Sequence, residues 1–366
     1  MDKPSVTNRL LSRPKVLVLG NGILRACGGM DCGKLERLIY KASNAKPRHI
    51  RGTNISFPMR IAASFARSND CHHGVENAIV DLFRQDKLGY QKTNMLLCHS
   101  KTSSSPFVKE LLEAGFDDII TTNYGYEIEQ VLLGRCPTLD AVNNKCDFYR
   151  RYKYAKRLSP KETKIPVEKK FKIRRCYRDP GTGTRVWHVH GEYLRPWSVI
   201  FGYYDYCSLL AKVKDQCSVE KFKARYGKYQ KGEDFEPATS WVDSFLFGDV
   251  YILGFGAALD EPVFWWMMDR KKRMLWKTGK VYFYEPTFKG RAEDPNKKDV
   301  LTMIGAFGGE HRDLDVRILE PDPKSVGKKF SEFYEKACKE IIAEVRGVKE
   351  SGDSSKGIVK RSASRS

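Results

Sequence analysis

The stretch Lys15-Val16-Leu17-Val18-Leu19-Gly20-Asn21-Gly22 decides the reading of the fold. Its apolar run is too short for a helix and lacks the polar alternation of a half-exposed strand. It reads as a strand buried on both faces, as in a parallel sheet, running into a tight glycine turn. The same grammar recurs along the chain. Residues 117–121 (DDIIT) lead into Thr122-Asn123-Tyr124, 185–189 (RVWHV) end at His190-Gly191, and 249–253 (DVYIL) stop at Gly254-Phe255-Gly256. Residues 197–201, 280–284 and 314–319 read as further strands.

Between the strands the apolar period changes to that of helices. Residues 33–45, 58–85, 106–113, 126–133, 204–213, 261–272 and 325–345 carry it, with Val75, Ala78, Ile79, Leu82 and Phe83 on one face of the second and Pro106 opening the third. Alternating strands and helices predict an α/β fold: a Rossmann-like parallel sheet with helices on both faces, a helical small subdomain and a basic insertion. Strands that end in Gly, Asn and His place those residues at the carboxyl edge, where such sheets bind ligands.

The bulk numbers fit this reading. At roughly 150 residues per domain, 366 residues allow two or three units, or one large α/β domain with an insertion. The organisation expected is an extension over 1–14, the α/β domain over 15–320 with a helical cap at about 27–95 and the insert at about 145–180, a C-terminal helix over 321–350, and a disordered basic tail over 351–366. No apolar run is long enough to span a membrane and the first residues carry no secretory signal, which implies a cytoplasmic protein. Ten cysteines occur without a CxxC pair, so no zinc module and no metal are expected. Cys71-His72-His73 and Cys98-His99 are the nearest approach to metal-ligand spacing, and read rather as unrelated polar or half-buried side chains.

The net charge of +20 attracts polyanions. It concentrates in 145–178, where 14 Lys or Arg against 3 Asp or Glu give net +11, interleaved with Phe148, Tyr149, Tyr152, Tyr154, Phe171 and Tyr177. That pattern suits nucleic-acid contact by backbone tracking and base stacking, and suits equally a solvated arm or a surface for an acidic partner. Trp265 and Trp266 beside Met267 and Met268 read as an interface or as helix packing against the sheet.

Four short motifs carry chemistry. Gly20-Asn21-Gly22 can bring backbone N–H groups to a pyrophosphate, or form an ordinary tight turn. Thr121-Thr122-Asn123-Tyr124 puts an amide, both donor and acceptor, at a strand lip; Asn123 either holds a ribose hydroxyl or a water, or caps the next helix. In His188-Val189-His190-Gly191 the period of two puts both histidines on one face, or His190 at the strand's end. Gly191 lets the chain turn there, leaving His190 free to take a proton near neutrality, whereas the deeper His188 reads as a core residue. Gly254-Phe255-Gly256 leads through Ala257, Ala258 and Leu259 to Asp260, which caps a helix or accepts from a ribose.

In order, these motifs and the strand end Phe283-Tyr284-Glu285-Pro286 resemble the sirtuin family, most closely its bacterial defence-type members. The resemblance spans 15 to about 290, interrupted by the basic insert. It implies NAD as substrate, bound by Gly20, Asn21, Gly22, Thr121, Thr122, Tyr124, Gly191, Gly254, Phe255, Gly256, Asp260 and Glu285. Asn123 would position the ribose or the attacking water, and His190 would be the base. Two features depart from the pattern: Gly125 stands where the family has Asp, with Glu127 the nearby substitute, and the paired cysteines of the deacetylases are missing. The implied activity is therefore an NAD glycohydrolase releasing nicotinamide and ADP-ribose, as an effector of antiviral defence against phage. The alternatives are an NAD-dependent deacylase or ADP-ribosyltransferase, and a nucleic-acid-binding or non-catalytic NAD-sensing module. The resemblance also implies a homo-oligomer and an activating partner: an ATPase, a nuclease-like protein, an Argonaute-like protein or a phage protein.

Overall fold

Among the described residues, seven strands make one sheet: β1 (Lys15–Leu19), β2 (Asp118–Thr121), β3 (Tyr177–Arg178), β4 (Arg185–His188), β5 (Asp249–Leu253), β6 (Val281–Pro286) and β7 (Leu314–Leu319). Their order is β3-β4-β2-β1-β5-β6-β7. All neighbours pair parallel except β3, which runs antiparallel along β4. The structure is a computed structural model that describes residues 13–27, 36–37, 40, 105–133, 173–179, 181–192, 198–200, 203–217, 221, 224, 240–256, 261–273, 279–286, 299–300, 302–304, 306, 314–319 and 329–347. The helical cap expected at about 27–95, most of the basic insert, the paired Cys-His stretches and the C-terminal tail lie outside these residues.

The strand residues split by parity into two cores, as the alternation of Cβ directions requires. Val16, Val18, Ile120, Val250, Ile252, Val281 and Phe283 face one layer, built from α4 (Tyr203–Gln216), α5 (Trp241–Phe247) and α6 (Pro262–Arg273). Leu17, Leu19, Ile119, Tyr251, Leu253 and Tyr284 face the other, built from α1 (Asn21–Ala26), α2 (Pro106–Leu112), α3 (Glu127–Leu133) and α7 (Lys329–Arg346). The fold is thus α/β, a mostly parallel sheet between helices. Each buried aliphatic side chain of the central strands contributes about 1.5–3 kcal/mol.

Residues Phe333, Tyr334, Ala337, Cys338, Ile341 and Val345 give α7 an apolar stripe that is buried against this second face. The C-terminal helix is therefore part of the domain rather than an appendage to it. In α6, Met267 and Met268 are buried and Trp265 and Trp266 are half-buried, all four packing on the first core.

Buried charge ties β2 to β4 and α6 to the end of α5. Asp118, wholly buried, accepts from Arg185 Nε at 2.7 Å and Nη2 at 2.8 Å, and from Trp187 Nε1 at 2.7 Å. Lys271, also buried, donates to the carbonyls of Phe245, Leu246 and Gly248 at 2.8–3.0 Å. Its ammonium satisfies the orphan carbonyls at the end of α5.

Two expectations change. Residues 198–200 form no strand: Ile200 N donates to His190 O at 2.8 Å and Glu192 N to Ser198 Oγ at 3.1 Å, closing the loop after β4 on itself. The far end of the basic stretch is instead a strand, since Tyr177 and Arg178 pair with Val186 and Arg185 and Tyr177 is buried. Among the described residues no helix is long and apolar enough to cross a membrane.

Candidate functional site

The strand order reverses between β1 and β5, with β2 and β4 to one side and β6 and β7 to the other. In open α/β sheets the loops splay apart there, leaving a crevice beyond the carboxyl ends of the strands. The loops after β1, β2, β4 and β5 carry most of the residues singled out from sequence.

The two glycine loops pack against each other. Gly20 N donates to Leu253 O at 3.0 Å and Gly22 N to Gly254 O at 2.8 Å. A Cβ on Gly20 would lie 2.3 Å from Gly254 O, and one on Gly22 would lie 2.8 Å from Gly254 Cα and 2.1 Å from the Tyr334 hydroxyl. Gly254 itself has φ +69°, in the left-handed region that glycine adopts freely. These glycines allow two backbones to touch, and the N–H groups of Gly20 and Gly22 are already committed between the loops. Asn21 opens α1, half-buried. Phe255 packs on Phe264 with ring centroids 5.0 Å apart, while Gly256 is exposed with open space beside it. Asp260 lies outside the described residues.

The β2 lip is fastened to the first loop. Thr121 Oγ1 donates to Leu19 O and accepts from Asn123 N, each at 3.1 Å, and Thr122 N donates to Leu19 O at 3.3 Å. Asn123 Nδ2 donates to Gly20 O at 3.3 Å. The helix-capping role for Asn123 is excluded, because α3 begins at Glu127 and its first carbonyl acceptor is that of Tyr126, bonded by Gln130 N at 2.8 Å. The Tyr124 hydroxyl donates to Ile200 O at 3.0 Å, joining this lip to the loop that carries His190. Gly125 is buried, and so is Glu127 in the first turn of α3.

The two histidines part company. β4 ends at His188, and Gly191, at φ +86°, turns the chain against the Ser198 carbonyl. His190 consequently faces the α4–α6 side, its ring edge-on to Tyr206 at 5.1 Å and its Nε2 4.0 Å from Glu261 Oε2. His188 faces the opposite side, between Tyr126 and Tyr177. Burial lowers the pKa of His190 to about 4, so its imidazole is neutral at pH 7. The Tyr206 hydroxyl donates to Glu261 Oε1 at 3.4 Å, completing a His-Tyr-Glu group.

His188 is charged. Its Nε2 lies 2.7 Å from Glu129 Oε1 and its Nδ1 3.1 Å from Asn123 O. Burial alone would lower its pKa, but the Glu129 carboxylate outweighs that and, with Glu192 and the Asn123 carbonyl, raises it to about 9. Glu192 in turn accepts from Tyr126 OH at 2.6 Å and from Tyr177 OH, and pairs with Arg175 at 2.7 Å. Sequence reasoning singled out none of Glu129, Glu192, Glu261 and Tyr206. An acid in a helix or loop carries no pattern that separates a buried partner from a solvated face. Glu285, half-buried in β6, lies near Tyr334, whose hydroxyl is held in its protonated form by burial and by that negative charge.

The two histidines predict a dome of stability against pH. His188 has a folded value of about 9 against 6.5 for the free side chain, so its contribution is complete below about 6.5 and is lost as pH rises through 9. His190 is the reverse: with a folded value of about 4, its contribution is present above 6.5 and lost as pH falls toward 4. Chemical denaturation across pH should show maximal stability near 6.5. His190→Gln should flatten the acid side and His188→Gln the alkaline side; an unchanged profile in both variants would refute the assignment.

No known protein family matches the chain, and no curated protein is similar to it.

Proposed function

We propose that the crevice binds NAD and that the protein cleaves its nicotinamide–ribose bond with water as acceptor. The observation that carries this reading is that Asn123 and a buried, neutral His190 follow the adjacent parallel strands β2 and β4 at the carboxyl edge of the sheet, on one side of the reversal of strand order. The six parallel strands alone run in the Rossmann-like order, which supports a dinucleotide lying across that reversal.

In this reading the ribose lies over the β2 lip. Departure of nicotinamide leaves an oxocarbenium-like sugar, which the site must hold while admitting one nucleophile. Asn123, fixed by Gly20 and His188, orients a ribose hydroxyl or the water. His190 accepts the proton. Glu261 steadies the imidazolium so formed, at the range seen between its Oε2 and the His190 Nε2. A role in antiviral defence, oligomer formation and an activating partner rest on the order of the sequence motifs.

The test is incubation of the purified protein with NAD and chromatographic analysis of products. Nicotinamide and ADP-ribose in equal amounts are expected. Nicotinamide with a modified protein would instead indicate ADP-ribosyl transfer, and intact NAD would overturn the reading.

A further inference from the structure

The hydrogen bonds around His188 constrain where its protons lie. A backbone carbonyl only accepts, so Nδ1, 3.1 Å from Asn123 O, carries a hydrogen. Nε2, 2.7 Å from Glu129 Oε1, carries the second hydrogen toward the carboxylate that holds the ring charged. Two hydrogen bonds, one at each ring nitrogen, thus run along a buried line from α3 through β4 to the β2 lip. Glu129 is wholly buried, and its second oxygen has no hydrogen-bond partner among the described residues. The carboxylate's directed contact is thus the imidazole.

Every element packed around the ring contributes to fixing it. Tyr126 and Tyr177 lie edge-on at 5.4 and 5.7 Å. Glu192, from the loop after β4, ties both tyrosine hydroxyls together, and Arg175, just before β3, balances its charge. Asn123 is therefore gripped at two points: its carbonyl by His188, and its side-chain amide by Gly20 O.

We propose that His188 and Glu129 are positioning residues for Asn123, the His188 imidazole holding the Asn123 carbonyl and Glu129 holding the imidazole, so that the side-chain amide keeps its place against Gly20 O at the β2 lip. This rests on the reading of Asn123 as a site residue, but its geometry can be tested without turnover. Misplacing a reacting group by about 1 Å costs on the order of 10²-fold in rate.

The experiment uses the full chain. Nitrogen-15 spectra at neutral pH should show a slowly exchanging N–H on Nδ1 of His188, and His188→Leu should move the Asn123 side-chain amide signals toward those of a free asparagine. With NAD, His188→Leu should lower kcat about 10²-fold with KM nearly unchanged, and Glu129→Gln, which keeps a hydrogen-bonding group but not the charge, should fall between it and wild type. Should His188→Leu not fold, His188→Met, similar in size and without an N–H donor, takes its place. A bare Nδ1, or a folded variant whose Asn123 signals do not move, would overturn the proposal. If wild type leaves NAD intact while the Asn123 signals move as expected, the proposed reaction fails and the positioning role stands.

Discussion

His190→Ala should cut the release of nicotinamide from NAD by a factor of about 10²–10⁴, the usual worth of a general base. The loss should fall on kcat, because the imidazole acts on the proton that moves rather than on the bulk of the dinucleotide. The ring is buried but neutral, and its contacts are one edge-on aromatic and a carboxylate 4.0 Å away. Its removal therefore leaves no buried charge behind, and the fold should survive with a modest loss of stability. Circular dichroism and thermal melting of the variant, beside its turnover, separate the two effects. A folded His190→Ala protein cleaving NAD at the wild-type rate would end the assignment.

Asp118→Ala should have the largest effect on the fold, about 3–5 kcal/mol, the typical cost of removing one partner of a buried ion pair. The carboxylate meets Arg185 with two hydrogen bonds and Trp187 with a third. Without it a buried guanidinium loses two hydrogen bonds and its nearest carboxylate, and a buried indole N–H loses its acceptor, in the pair of strands whose ends carry Asn123 and His190. Asp118→Asn should be milder, since an amide oxygen still accepts, but it removes the carboxylate charge nearest the Arg185 guanidinium. Urea denaturation should show the midpoint fall for both, further for Ala. Equal stabilities for Asp118→Ala and wild type would mean that the pair contributes nothing.

The strands were the most legible part of the chain. β1, β5 and β7 have the limits expected from their apolar runs, because a strand buried on both faces is a continuous block bounded by turn residues. α2, α3, α4, α6 and α7 fall within a few residues of the expected helices, each defined by an amphipathic period. β3 was illegible because two residues in a run of charge offer no period to read. Residues 198–200 misled because their apolar character reflects burial beneath the His190 loop rather than pairing in the sheet. At the site, the residue types at strand ends were readable and their partners were not. Period two put His188 and His190 on one face or His190 at the strand's end; the second holds, since β4 ends at His188 and Gly191 N closes a turn onto His188 O, and only the folded chain brings Glu129 and Glu261 to them.

The Tyr334 hydroxyl sits where a side chain at position 22 would begin, so the glycine turn after β1 is completed by α7, a helix far along the sequence from it. β1, the strand that leads into that turn, likewise acquires its second neighbour only when β5 has emerged. A ribosome-bound fragment that ends before Tyr334 holds Asn123 and His190 but lacks the wall behind Gly22. The wall behind Gly22 therefore forms only when α7 docks, so one side of the crevice depends on two segments far apart in the sequence.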